Sequence, residues 1–171
     1  MSNMNAVKVA GIVRDAGGRI VGRTRLQKVA YLLSVTGLEE GLRFAYKHYG
    51  PYSEDLATAA RDAGLLGLLC ETEQQASWGG TYSTYVVGEQ PSSSVPFARR
   101  LLAVEAAAAD AIELELAATA VFLAKEGHSD PWMETARRKP EKTGNDRIEK
   151  ARALYRRLCA IETPVAWPAN V

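Results

Sequence analysis

The chain has little of what usually carries catalysis or binds metal. Its 171 residues include two cysteines and two histidines. Cys70 and Cys159 lie far apart with no C-x-x-C, and combining them with His48 and His128 gives none of the local spacings of zinc ligands. No G-x-S-x-G, Walker-type loop or G-x-G-x-x-G occurs, and "WGG" at 78–80 reads as a hairpin turn rather than a phosphate cradle. Neither histidine has a nucleophile or carboxylate network visible beside it. The expectation is no enzyme, no catalytic residue, no metal and no cofactor. Also missing are an apolar run near the ~18 residues of a membrane span and, in the polar start "MSNMNAVK", the apolar core of a signal peptide. A cytoplasmic protein with buried or free thiols is expected. A net charge of +1 excludes a generally polycationic nucleic-acid binder.

What the chain does have is enough apolar residue, 47%, to bury a core without staples. Residues 4–16 carry Met4, Val7, Ala10 and Ile12 or Val13 near helical spacing, stopped by Gly17-Gly18. After "RIVGR", read as a connection, Thr24 and Gln27 have capping-box spacing, and Leu26, Val29, Ala30 and Leu33 share one face of a helix over 24–36. "RFAYKHY" alternates and predicts a strand over 43–49, ended by a turn at Gly50-Pro51. Ser53 then caps a helix with Glu54 and Asp55 in its first turn, and two strands joined by "QQASWGG" make a hairpin within 68–90. "EQPSSSVP" marks a boundary. An Ala-rich helix or kinked pair follows over 97–126, with Leu101, Val104, Ala108, Ile112, Leu116, Ala120 and Leu123 as its stripe. A short helix starts at Asp130-Pro131, and "NDRIEKARALYRRLCAIE" closes the chain as an amphipathic helix.

Helix, helix, strand, helix, hairpin is the order of parts in a winged-helix domain. The expected fold is therefore α+β, mainly α: a winged-helix-like region over 1–90 with a small sheet or hairpin, and a helical region over 91–171 packed on it as one unit. DNA is the usual partner of such a fold, but the helix that would read it, 53–66, has Arg61 against Glu54, Asp55 and Asp62, and the hairpin has three Glu and no Lys or Arg. Residues 1–50 instead hold eight Lys/Arg against three Asp/Glu, while residues 51–96 hold one against six. A DNA-binding regulator would have to use the basic N-terminal part, with Arg19, Arg23, Arg25, Lys28 and Lys47 as contacts. The stripe from Leu101 to Leu123 reads either as core or as an interface, which would make helix 97–126 a homodimer contact.

"RFAYKHYGPYSEDL" at 43–56 packs Tyr46, Tyr49, Tyr52 and His48 around Gly50-Pro51. It reads mainly as a structural joint whose tyrosine rings bury against Trp132 or the first helices, with any half-exposed tyrosine free to anchor a partner. "TRLQKVAYLL" at 24–33, "YKHYGPYSEDLATAARDAGLL" at 46–66 and "KEGHSDPWMETARRKP" at 125–140 together resemble the Panacea domain family of prokaryotic antitoxin and phage-associated proteins. The residues carrying the resemblance are Leu26, Gln27, Lys28 and Tyr31; Tyr49, Gly50 and Pro51; and His128, Pro131 and Trp132. Tyr52-Ser53 and Leu56-Ala57 depart from the family's usual valine and later Leu-Tyr. The resemblance implies a non-enzymatic antitoxin-like or adaptor module that works by binding a partner protein such as a toxin. Tyr46, His48, Tyr49, Tyr52, His128 and Trp132 are then the expected partner contacts.

Overall fold

The computed structural model describes residues 2–171. Its first helix, α1 (Ser2–Asp15), buries Ala6, Val9, Ile12 and Val13, while Met4 and Val7 face solvent. The expected face was thus rotated: in a helix apolar on several sides, spacing alone admits neighbouring stripes, and packing against α3 (Glu54–Leu65) selects one. The "RIVGR" connection is corrected to a short strand, β1 (Arg19–Val21), which pairs antiparallel with β5 (Thr81–Val86). Three residues are too few to show alternation, and the partner strand lies far along the chain.

α2 (Arg23–Val35) starts from Gly22, which holds φ 97, so Thr24 and Gln27 form no capping box. The Gln27 amide instead donates to Ser53 O at 3.0 Å and accepts from Ser53 N at 2.8 Å. The Ser53 hydroxyl, in turn, accepts from Leu56 N at 3.2 Å and caps α3. One buried amide therefore fixes where α3 begins relative to α2.

The strand expected over 43–49 is shorter, and its turn lies earlier. β2 (Ala45–Lys47) pairs with β3 (Gly50–Tyr52) across the two-residue turn His48-Tyr49, so Gly50-Pro51 opens the return strand instead of ending the first. Gly50 holds φ +89, and proline is tolerated because a two-stranded ribbon is all edge. β4 (Cys70–Gln75) and β5 form the expected hairpin, giving a sheet of order β1-β5-β4. With α1, α2 and α3 this is the connectivity of a winged-helix unit, within a chain that is α+β and mainly α.

The Ala-rich stretch is a broken pair, α4 (Phe97–Ala108) and α5 (Ala111–Lys125); Asp110 caps the second by accepting from Ile112 N and Glu113 N. α5 is core on most sides. In α4 the buried residues are Leu102, Ala103 and Ala106, whereas Leu101, Val104 and Ala108 face solvent, so the continuous stripe divides between core and surface. α2 packs on both helices. α6 (Pro131–Arg138), capped by Asp130, and α7 (Arg147–Cys159) close over α5. Trp132 meets Tyr155, whose other edge meets Trp167 at 5.6 Å between centroids. Among the described residues no helix is long and apolar enough to cross a membrane.

Candidate functional site

The tyrosine-rich joint is held from outside by the basic end of α6 and the 3-10 turn after it. The Arg138 guanidinium lies over the Tyr46 ring at 5.0 Å, and Lys142 Nζ lies over the Tyr49 ring at 4.7 Å. Tyr46 also packs on Phe122. Lys139 Nζ donates to His48 O at 3.1 Å, fixing the turn between β2 and β3. Tyr46 thus packs against α5 and under the α6 end, not against Trp132, while Tyr49 stays 51% exposed.

Beneath the joint lies a buried charge cluster. Lys28, 1% exposed, donates to Pro51 O at 2.9 Å. Glu115 on α5 pairs with Lys142 at 2.6 Å and Lys139 at 3.3 Å, all three being largely or wholly enclosed. Burial pulls the Lys28 ammonium down to about 8; Glu115 opposes that shift, and Lys139 and Lys142 add to it. Gly50 seals this cluster: a Cβ there would lie 2.5 Å from Thr119 Oγ1 and 3.7 Å from Lys28 Cε.

In front of the joint opens a groove of about 1290 Å³. It is lined by the start of α2, the Ala57–Arg61 part of α3 and the β4–β5 hairpin, with Tyr49, Tyr52 and Trp78 among its residues. Trp78 is 74% exposed at the hairpin tip, and its indole lies against Gly80, leaving no room for a side chain there. Tyr85 forms part of the floor; burial, helped by Glu71, pushes its phenol up and keeps it a neutral hydrogen-bonding group. Arg23 crosses the groove to Glu73 at 2.7 Å and Glu71 at 3.8 Å. Arg25 donates to Val21 O and Ala109 O, so its guanidinium holds backbone.

Of the expected partner contacts, the fold brings Tyr49 and Tyr52 to this groove, with His48 exposed beside Tyr49 at 4.8 Å between ring centroids. Tyr46 is half-buried under Arg138, and His128 sits at the end of α5, where its carbonyl accepts from Asn170. Trp132 is corrected to a core residue, 4% exposed. Of the expected nucleic-acid contacts, Lys28 is corrected to a buried residue, Arg23 pairs with Glu73 at the surface, Arg25 holds backbone carbonyls, Lys47 lies 3.9 Å from Glu54, and Arg19 is exposed on β1. Sequence reasoning missed Trp78, Tyr82 and Tyr85 as groove residues; the aromatics spaced through "WGGTYSTY" were the available signal, but they also suit any hairpin. Among the described residues no three His, Cys, Asp or Glu side chains cluster as a metal site. Comparison of the chain with known proteins finds no matching family model, curated protein or solved structure.

Proposed function

We propose that the chain is a non-catalytic, cytoplasmic protein-binding module of the antitoxin or adaptor kind its Panacea-like motifs suggest, and that it holds a segment of a partner protein, such as a toxin, in the groove between α2, α3 and the hairpin. The observation that carries this reading is the groove itself: an open cleft edged by the exposed Trp78 and by Tyr49 and Tyr52. Large aromatics that are solvated in the free protein are the residues that anchor protein interfaces. The regulator reading has less support, because Arg23 and Arg25 are committed to Glu71, Glu73 and backbone carbonyls and Lys28 is buried, which leaves it Arg19 and Lys47.

The test is recovery of tagged protein from its own host before and after nuclease treatment. A stoichiometric protein that survives nuclease and is lost with Trp78→Ala supports the reading. Nucleic acid released by moderate salt, without a protein partner, overturns it.

A further inference from the structure

α4 has one side bare of neighbours. Leu102, Ala103 and Ala106 turn inward, where α1, α2 and α7 pack on it. On the other side stand Phe97 at 66%, Leu101 at 42% and Val104 at 47% exposure, followed by exposed Ala108. Their separations of four, three and four residues keep them in one row along the helix, the d-a-d-a spacing of a coiled-coil seam. Three large apolar side chains in one solvated row are what a partner helix covers.

Charge says which helix that is. In this register Arg100 falls at g, immediately before Leu101, and Glu105 at e, immediately after Val104, so the two flank the row on opposite sides. In a parallel helix pair the g residue of one helix faces the e residue five places on in the other. Arg100 of one copy then meets Glu105 of a second, and the two-fold axis repeats the contact. Both groups are available for it. The Arg100 guanidinium lies over the Phe97 ring at 5.7 Å, and its Nε is shielded from solvent with no acceptor. Glu105 accepts from Arg157 at 2.9 Å through Oε1, with both side chains about half exposed, and its Oε2 has no partner among the described residues. Glu134, which holds Arg137 and Arg138 together, shows in the same molecule that one carboxylate serves two guanidiniums. An antiparallel pair would instead set Arg100 opposite Ala107 and Glu105 opposite Ala98, leaving neither charge answered.

We infer that α4 is a self-association surface: two copies of this chain pair through parallel α4 helices, Phe97, Leu101 and Val104 meeting their own counterparts between two Arg100–Glu105 bridges. The inference goes beyond the protein-binding reading and does not depend on it, since no α4 residue lines the groove. A seam of twelve residues is about 18 Å long. It covers less than the ~800 Å² per partner of a standard interface, so the pairing is weak enough to follow by dilution.

The test is sedimentation equilibrium of the full chain over a dilution series, with circular dichroism to establish that each variant is folded. A monomer–dimer equilibrium is expected, and Leu101→Glu should abolish it. Arg100→Glu makes both flanks of the seam acidic, and Glu105→Lys makes both basic. Each alone should dimerise about tenfold more weakly, while an equimolar mixture of the two should regain wild-type association. Ala108→Cys in a Cys70→Ser chain reads the orientation. Parallel helices bring the two introduced thiols together, so oxidation links them, whereas antiparallel helices hold them about 16 Å apart along the axis. A monomer at every concentration, a dimer indifferent to Leu101→Glu, a mixture no stronger than its components, or an oxidised Ala108→Cys chain that stays unlinked would each overturn the inference.

Discussion

Lys28 makes the stability of this protein rise with pH over a range where most proteins are flat or declining. Its ammonium is buried, bonded to Pro51 O, and held among Glu115, Lys139 and Lys142. In the fold it releases its proton at about 8, whereas in the unfolded chain a lysine keeps it to about 10.4. Between those values the unfolded state binds more protons than the native state, so the free energy of unfolding increases with pH. Below pH 8 both states are charged and the burial cost is paid in full. Integrated from pH 7 to pH 9.5, the gain is about 2 kcal/mol, from linkage with these two values. Above pH 10 the buried phenols of Tyr31 and Tyr155, both pushed upward by burial, reverse the trend as their unfolded counterparts ionise. The assay is urea unfolding at pH 7 and 9.5 for wild type and Lys28→Met, compared as a difference so that groups common to both, including the Cys159 thiol that burial pushes up, cancel. Identical pH dependence in the two proteins would refute the account of Lys28 as a charged, incompletely compensated group.

Gly50→Ala, which places a Cβ against Thr119 at a positive φ, should cost about 2–4 kcal/mol, read as a lowered urea midpoint with unchanged slope. Trp132→Ala should lower stability by about 3–5 kcal/mol and leave partner affinity unchanged once folding is allowed for; a selective loss of affinity would restore it to the interface. Trp78→Ala should do the opposite, leaving the melting temperature within a degree or two of wild type, since its ring is mostly solvated. Arg99→Met should destabilise by about 3 kcal/mol, because Arg99 donates to the fully buried Asp15 at 2.7 Å and to Leu38 O, and Asp15 would be left with Arg14 alone.

The sequence by itself determined those features whose causes are local. Ser53 and Asp110 cap because a short side-chain oxygen reaches N–H groups two or three residues ahead, and Asp130-Pro131 starts a helix for the same reason with a ring that fits the first turn. The β4–β5 hairpin was legible in its alternation, and the acidity of α3 and the hairpin was plain from composition. Long-range features were hidden. β1 exists because β5 pairs with it, and Ala6 rather than Met4 is buried because α3 packs there. Lys28 reads in the chain as one more basic residue beside Arg23 and Arg25; only the arrival of Pro51, Glu115 and Lys139 makes it an interior group. Trp132 and Trp78 are the same residue type, one sealed between α6 and α7 and the other left at a hairpin tip. Tertiary structure decided that difference, since burial is a property of the neighbours that converge on a side chain and those neighbours come from distant parts of the sequence.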